Sequence, residues 1–429
     1  MLDCYDVLGI GFGPGNLSLA IAIEEGAPEL SAHFLEAQQN LVWQGGMMLD
    51  GSNIQNHPCR DLVSLRNPRS RYSFLNYLFE NDRLIEHLNL PMEFPLRKEY
   101  AQYIGWVTKH FAHQVDFGVR AAALAVVDRD GTRVFEATTV DGATYQGRTL
   151  VLAPGRTPYV PAQFDGVRSP RVVHLTGYLH QLRELDASPR NVAVIGGSQS
   201  AVELTLDLAK RFPKARVTNY VHSYSLRSKD NSPFSEEGYF PDFTEYYFKV
   251  DRRSKKALDA YMRPTNYSSA DSDVLHELYI MVYEQRLDGA QRVFVQGNSL
   301  VSAVTVNENT VRLEIDEVHT HQRTVDEVDL VVLATGFRDL GPSERQERFP
   351  ALLADVIDRF HFDEHGYLMI NPDYSLEPVE DTTPAVFLNG LCESTHGIGD
   401  SGSFSLLSLR AAAVLDGLRK QVPVDLFTG

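Results

Sequence analysis

The chain has 429 residues, 43% of them apolar, and 57 acidic against 40 basic side chains give it a formal net charge of −17. That length suits two or three domains, and the acidic balance argues against a nucleic-acid or anionic-membrane partner, since both need a basic face. No run approaches the ~18 apolar residues that span a bilayer, and three cysteines, Cys4, Cys59 and Cys392, form no CxxC pair and no metal spacing, a sparse and odd count that suits a reduced cytoplasm.

The N-terminal "CYDVLGIGFGPGNLSLAIAI" has no basic stretch before its apolar segment, so it is expected to be a strand and not a signal peptide. Residues 5–10 read as a buried strand and "GFGPG" as a turn. Asn16 to Glu25 reads as a helix stopped by Gly26 and Pro28, and "AHFLEA" as a second strand ending in Glu36. Strand, glycine turn, helix, strand and acid make one βαβ nucleotide-binding unit. Gly9, Gly11 and Gly13 stand where the strand turns into the helix; glycine tolerates positive φ there and lets backbone approach a pyrophosphate. Pro14 takes the sixth fingerprint position, where glycine is usual. The helix N-terminus at Asn16 offers free N–H groups and a positive dipole end. Glu36 is placed to accept both ribose hydroxyls and would repel a 2′-phosphate, which favours FAD or NAD over NADP. The bland alternative is an ordinary strand–helix corner.

"GRTLVLAPG" (147–155) is another buried strand closing on glycine, and 157–189, with Pro158, Pro161 and Pro170, is a connector. A second βαβ unit starts at Val192. Gly196 and Gly197 make its turn, Ser198 takes the second-glycine place, Gln199, Ser200 and Ala201 open the helix, and "ARVTNYVH" (215–222) is the next strand. No acid ends that strand. His222, Arg227 and Lys229 follow instead, which favours a 2′-phosphate and hence NADPH; the alternative is solvated surface charge. Residues 231–289 are polar, aromatic and mostly helical in pattern. "VDLVVLATGF" (328–337), which contains Thr335, repeats the strand-to-glycine pattern, and "AVFLNG" followed by "HGIGDSGSFSLLSLRAAAVLDGLRK" is strand, loop and final helix. The expected fold is α/β, with two Rossmann-like, three-layer dinucleotide-binding domains and a small helical substrate insertion. The FAD-binding domain is expected over 1–175 and 340–429, the NADPH-binding domain over 188–230 and 290–339, and the substrate or lid region over 231–289.

Two cradles imply a flavin held in one and a hydride donor brought to it by the other. Disulfide reduction needs a redox cysteine pair, which this chain lacks. Oxygen is the remaining common acceptor. Reduced flavin and O2 give a C4a-hydroperoxide, which donates oxygen if water is excluded and releases hydrogen peroxide if it is not.

The stretches "GIGFGPGNLSLA", "DLVSLRNPRSRYSFLNYL", "GGSQSAVE", "DNSPF", "TNYS", "LATGF" and "HGIGD" run in order from about residue 5 to 415. In these the chain resembles the N-hydroxylating flavoprotein monooxygenases that act on ornithine, lysine or diamine side-chain amines in siderophore assembly. The resemblance implies FAD and NADPH as cofactors, an amine and O2 as small-molecule substrates, a hydroxylamine product for siderophore or other natural-product assembly, and a homo-oligomer, dimer or tetramer. A free alkylammonium has a pKa of about 10.4 and no lone pair, so the amine has to be bound neutral or lose its proton on entry. By resemblance Asn266, in "TNYS", holds this amine; its alternative is a turn cap. Gln55 falls where a glutamine packs on the flavin ring, and Trp43, in "LVWQGGM", lies in the flavin-side segment. Thr335 and Asp400 fall in stretches that approach the cofactors. His396 and Asp400 read as residues that order the C-terminal loop rather than as a catalytic pair.

Three departures fall near the expected substrate. Arg60 stands where the family usually has a lysine gripping the amino-acid carboxylate, a role that arginine fills with two parallel bonds. Glu236 stands where many ornithine enzymes have asparagine. It would hold the amine protonated, bind a second cationic group, or simply be exposed. The "DSGSFSLLS" loop is longer than usual. Ornithine and lysine are the first candidate substrates, and "LVSLRNP" leans toward ornithine. The alternatives are a diamine or another amino acid, oxygenation of sulfur or a ketone, or a nucleotide-binding sensor without catalysis.

Overall fold

Short runs of buried aliphatic residues, each followed by a turn containing glycine, build two sheets and decide at which edge those turns open. The computed structural model describes residues 3–185, 187–400 and 402–422. Met1, Leu2, Asp186 of the connector, Ser401 of the C-terminal loop and residues 423–429 of the expected FAD-binding range lie outside the described residues.

The first sheet takes β1 (Cys4–Ile10), β2 (Ala32–Glu36), β3 (Val115–Phe117), β4 (Ala121–Arg129), β5 (Thr132–Thr139) and β6 (Thr144–Leu152). Its order is β3-β2-β1-β6-β5-β4; the first four run parallel and β4–β5–β6 form an antiparallel meander. Ile10 pairs with Leu152, so the turns that follow β1 and β6 open at the same edge. The helix Pro14–Gly26 is apolar nearly all round and is buried from Asn16 to Ile23. A helix of that kind has to be covered on both sides; the sheet and the final helix, Leu407–Gln421, do this.

Next in the chain come β7 (Val172–His174), β8 (Asn191–Ile195), β9 (Arg216–Tyr220), β10 (Val293–Gln296), β11 (Ser299–Val306), β12 (Val311–Glu317), β13 (Arg323–Val328) and β14 (Leu330–Leu333). The second sheet is parallel throughout, in the order β10-β9-β8-β14-β7, while β11–β12–β13 form a separate antiparallel sheet. β15 (Val386–Leu388) then adds parallel to β6 and returns the chain to the first sheet. The α/β class agrees with the sequence reading, the second sheet being parallel throughout and the first parallel across β3-β2-β1-β6 and β15. The antiparallel sheet is additional to it. β7 differs in place: it falls inside the range 1–175, yet it pairs with the free edge of β14 in the second sheet.

Two crossovers join the sheets, and they pair with each other. Tyr159 N–H donates to the Gly336 carbonyl at 2.9 Å and Arg338 N–H to that of Thr157 at 2.8 Å. Arg156 and Asp339, one on each crossover, form an ion pair at 2.5 Å. The insertion is largely helical, as expected, with helices Pro241–Lys249, Arg252–Met262 and Ser272–Leu287. Asp251 caps the second by accepting from the N–H groups of Arg253 and Ser254. Asp271 caps the third by position alone, since its side chain makes no cap bond. Among the described residues no helix is long and apolar enough to cross a membrane, and no group of His, Cys, Asp or Glu is arranged to hold a metal.

Candidate active site

The turn after β1 is held by close packing on two sides and open on the third. A Cβ on Gly9 would lie 2.1 Å from the Phe34 ring, and one on Gly11, at φ +82°, 2.3 Å from the Ala153 carbonyl oxygen. Nothing lies within 4 Å of the place a Gly13 side chain would take. Gly13 is also the N-cap of Pro14–Gly26, so this helix has no side-chain cap. Open space against an uncapped helix N-terminus fits a pyrophosphate. Glu36 is buried at the end of β2, and its two oxygens accept from the N–H groups of Phe12 and Gln38, each at 2.8 Å. A carboxylate oxygen has a second acceptor site, which suits a ribose hydroxyl.

The Asn16 side chain is fully buried and shapes this turn from within. Its Nδ2 donates to the Gly11 carbonyl at 2.7 Å, and its Oδ1 accepts from Asn389 at 3.1 Å. Asn389 in turn accepts from Arg410 Nε at 2.9 Å, and Arg410 Nη1 pairs with Asp400 at 2.6 Å. Asp400 thus ties the C-terminal loop to the first glycine turn through buried groups. His396 lies apart from the cleft described below, stacked on Tyr374 with ring centroids 4.1 Å apart, and burial pushes its pKa down.

The second turn is equally tight. A Cβ on Gly196, at φ +149°, would meet the Ala334 carbonyl oxygen at 2.3 Å, and one on Gly197 the Val221 side chain at 2.7 Å. Ser198 is the extended N-cap of helix Gln199–Arg211 and makes no side-chain cap bond, so the first turn of this helix also fits a phosphate. Gln199 N–H donates to the Ser269 carbonyl at 2.9 Å, which seats the insertion against the cradle. Arg227 and His222 are exposed outside the cleft, whereas Lys229 turns into it. The Thr335 hydroxyl is bound to the Tyr159 carbonyl within the crossovers.

Beside the start of the second cradle's helix lies a cleft of about 550 Å³. Trp43, Gln55 and Arg60 reach it from the first domain, Gln199 and Ser200 from the second, Glu236, Tyr239, Asn266 and Asp271 from the insertion, and Phe404 and Ser405 from the C-terminal loop. Gln55 is held in the left-handed region at φ +54°. Its Nε2 donates to Asp271 Oδ2 at 2.5 Å, and Asp271 N–H donates to Gln199 Oε1 at 2.8 Å. One helix-capping aspartate therefore joins all three parts. Buried Arg97 adds a second tie, donating to the Met47 carbonyl at 2.6 Å and gripping Glu203 of the second cradle's helix at 3.0 and 3.1 Å.

Arg60 Nη1 lies 3.9 Å from Glu236 Oε2 and 3.4 Å from Ser405 Oγ. Lys229 Nζ lies 4.0 Å from Asp271 Oδ1. Partial burial raises the pKa of Glu236, with Lys229 and then Arg60 pulling the other way. Asn266 follows the short turn Arg263–Thr265, and its N–H donates to the Arg263 carbonyl at 3.2 Å. Trp43 is half-exposed and meets Phe404 edge-on at 5.4 Å. The structure thus gathers Trp43, Gln55, Arg60, Gln199, Ser200, Glu236 and Asn266; Gly9, Gly11, Gly13, Pro14, Asn16 and Glu36 of the first turn, Gly196, Gly197 and Ser198 of the second, fully buried Asp400, Arg227 and Thr335 are off the lining. Lys229, Asp271, Tyr239, Arg97 and Phe404 were not singled out as cleft residues from sequence. Only Asp271, at the head of an apolar helix in "SSADSDV", carried a local signal.

Residues 3–339 match the family described as L-lysine 6-monooxygenase/L-ornithine 5-monooxygenase. The chain is 34% identical to an L-ornithine N(5)-monooxygenase of Burkholderia cepacia over 406 residues, covering 92% of this chain and 90% of that one. Its structure is similar to that of the Kutzneria sp. 744 ornithine N-hydroxylase, described with reduced FAD, NADP+ and L-ornithine, at a TM-score of 0.90 and 30% identity over 98% of this chain and 100% of that one. It is also similar to an L-lysine 6-monooxygenase from Pseudomonas syringae, at a TM-score of 0.86 and 30% identity over 97% and 100% of the two chains. Likeness of this extent goes beyond a shared fold, and the chain belongs to the L-lysine 6-monooxygenase/L-ornithine 5-monooxygenase family of flavin-dependent N-hydroxylating monooxygenases.

Proposed function

We propose that the protein uses NADPH and O2 to hydroxylate the side-chain amine of a basic amino acid, L-ornithine first and L-lysine second, with FAD in the first cradle and NADPH in the second. FAD, when bound and reduced by NADPH, supplies the activated oxygen. The chain's own residues bind the amine, keep it neutral and keep water away. Arg60 offers a planar fork to the substrate carboxylate. Asn266 offers the reacting nitrogen an amide in place of a charge, and the partly desolvated cleft disfavours the ammonium form. Gln55, fixed by Asp271, would pack against the flavin when it is bound. Trp43, Tyr239 and Phe404 wall the cleft with apolar surface, which favours oxygen transfer over loss as peroxide.

The observation that carries this reading is that Gln55, Arg60, Asn266 and the start of the second cradle's helix line one cleft, although they come from distant parts of the chain. Relatives named for ornithine favour that substrate. The Pseudomonas syringae lysine enzyme, similar at the same 30% identity, keeps lysine as the second reading. The test is NADPH consumption with L-ornithine, L-lysine and diamines, with hydroxylamine and peroxide assayed together. L-Ornithine is expected to give the largest stimulation, with hydroxylamine formed in step. Peroxide as the sole product with every amine would overturn the proposal.

A further inference from the structure

Binding a carboxylate needs one cation, yet besides Arg97, which is engaged by Glu203, and the exposed Glu93, the cleft lining carries two pairs of opposite charge. Lys229 and Asp271 form one, and Asp271 is further engaged by Gln55. Arg60 and Glu236 form the other. Their closest approach is 3.9 Å, which is ion-pair distance but beyond a hydrogen bond, and their side chains are 24% and 30% exposed. Each is therefore screened by the other without being saturated by it.

The sign pattern sorts the ligands this wall would take. A lone carboxylate would meet Glu236 as well as Arg60. The far ammonium of a diamine would meet Arg60 and Lys229 as well as Glu236. A zwitterionic head has an ammonium and a carboxylate on one carbon, and it answers both members of the pair while leaving no buried charge uncompensated. We infer that Glu236 is a specificity residue that receives the α-ammonium of a free amino acid while Arg60 receives its carboxylate, so that the enzyme selects an unblocked zwitterionic head over a diamine or an Nα-acylated amino acid. The inference rests on the proposed amine-hydroxylating role of this cleft. It also accounts for an acid in a site that must bind its reacting amine neutral, because the charge is directed to the other end of the substrate.

The test compares the FAD-loaded wild-type chain with Glu236→Gln on L-ornithine, L-lysine, their Nα-acetyl forms and the matching diamines. Hydroxylamine formation gives KM and kcat, and calorimetric titration of each amine onto the holoenzyme with NADP+ gives affinity independently of turnover. FAD content and anaerobic flavin reduction by NADPH report whether the variant is intact. The wild type is expected to prefer the free amino acid over its acetylated form and the diamine by about 100-fold in kcat/KM. Glu236→Gln is expected to raise KM and Kd for the free amino acid about tenfold or more, with a much smaller effect on kcat. The acetylated form should change little, so the discrimination collapses. Equal effects on all three substrates, or discrimination that survives in Glu236→Gln, would overturn the assignment of Glu236 while leaving the hydroxylase reading in place. A wild type that forms hydroxylamine from none of these amines would overturn both.

Discussion

Arg60 and Asn266 face the same cleft, and the proposed chemistry asks opposite things of them. Arg60 has to offer a charge, and removing a charge-assisted bond costs about 1.5–3 kcal/mol. Arg60→Ala is therefore expected to raise the KM for the amino acid about 10- to 100-fold, while stopped-flow reduction of the flavin by NADPH proceeds as before. Loss of FAD in this variant would show that the residue is structural. Asn266 has to avoid offering a charge. Asn266→Ala is expected to uncouple the enzyme, so that NADPH is still consumed but peroxide replaces hydroxylamine. An unchanged hydroxylamine yield would remove Asn266 from the amine site.

At the scale of elements, the two glycine turns differ in what a side chain would disturb. Gly11 lies against backbone, whereas Gly13 looks into open space at an extended N-cap that any residue adopts. Gly13→Val is thus expected to leave the fold intact, by circular dichroism and gel filtration, and to yield colourless protein because the branched side chain takes the pyrophosphate's place. A yellow Gly13→Val protein would contradict the placement. Beside the crossovers, burial pushes the Glu393 carboxyl up to about 8 from its ordinary 4.5. Asp339 adds to the shift, while Arg156 and a hydrogen bond from Tyr267 oppose it. A raised folded-state pKa means that the native protein holds this proton more tightly than the unfolded chain. The contribution to stability is complete below about pH 4.5 and is lost as the pH rises toward about 8. Glu393→Gln, which cannot ionise, is expected to flatten the fall in melting temperature between pH 5 and 8; an unchanged slope would contradict this. These elements also show what the sequence carries. The parallel strands and both turns were legible because aliphatic runs and glycine conformation are local demands. β12 alternates buried and exposed residues, a pattern present in the sequence, but its partners β11 and β13 are set by pairing. β7 has only three residues among prolines, and its sheet is decided by the free edge of β14. Asp271 looks like an ordinary cap, and only the folded chain brings its carboxylate to Gln55. Lys229 enters the cleft because the backbone around it bonds to Ala270, a partner that no local pattern names.

For the whole molecule, the paired crossovers and the two ties from Asp271 and Arg97 hold the two domains together, so that segments of the first domain and the start of the second cradle's helix share one cleft. On the proposed function, the two electrons that NADPH delivers reduce O2, one oxygen atom going to an uncharged nitrogen in that cleft and the other to water. The most direct measurement is the ratio of hydroxylamine formed to NADPH consumed by the FAD-loaded protein with saturating L-ornithine, repeated with L-lysine. The account predicts a ratio near one with at least one of the two amino acids, and little hydrogen peroxide. NADPH oxidation that neither amino acid stimulates, with peroxide accounting for all of it, would contradict the account.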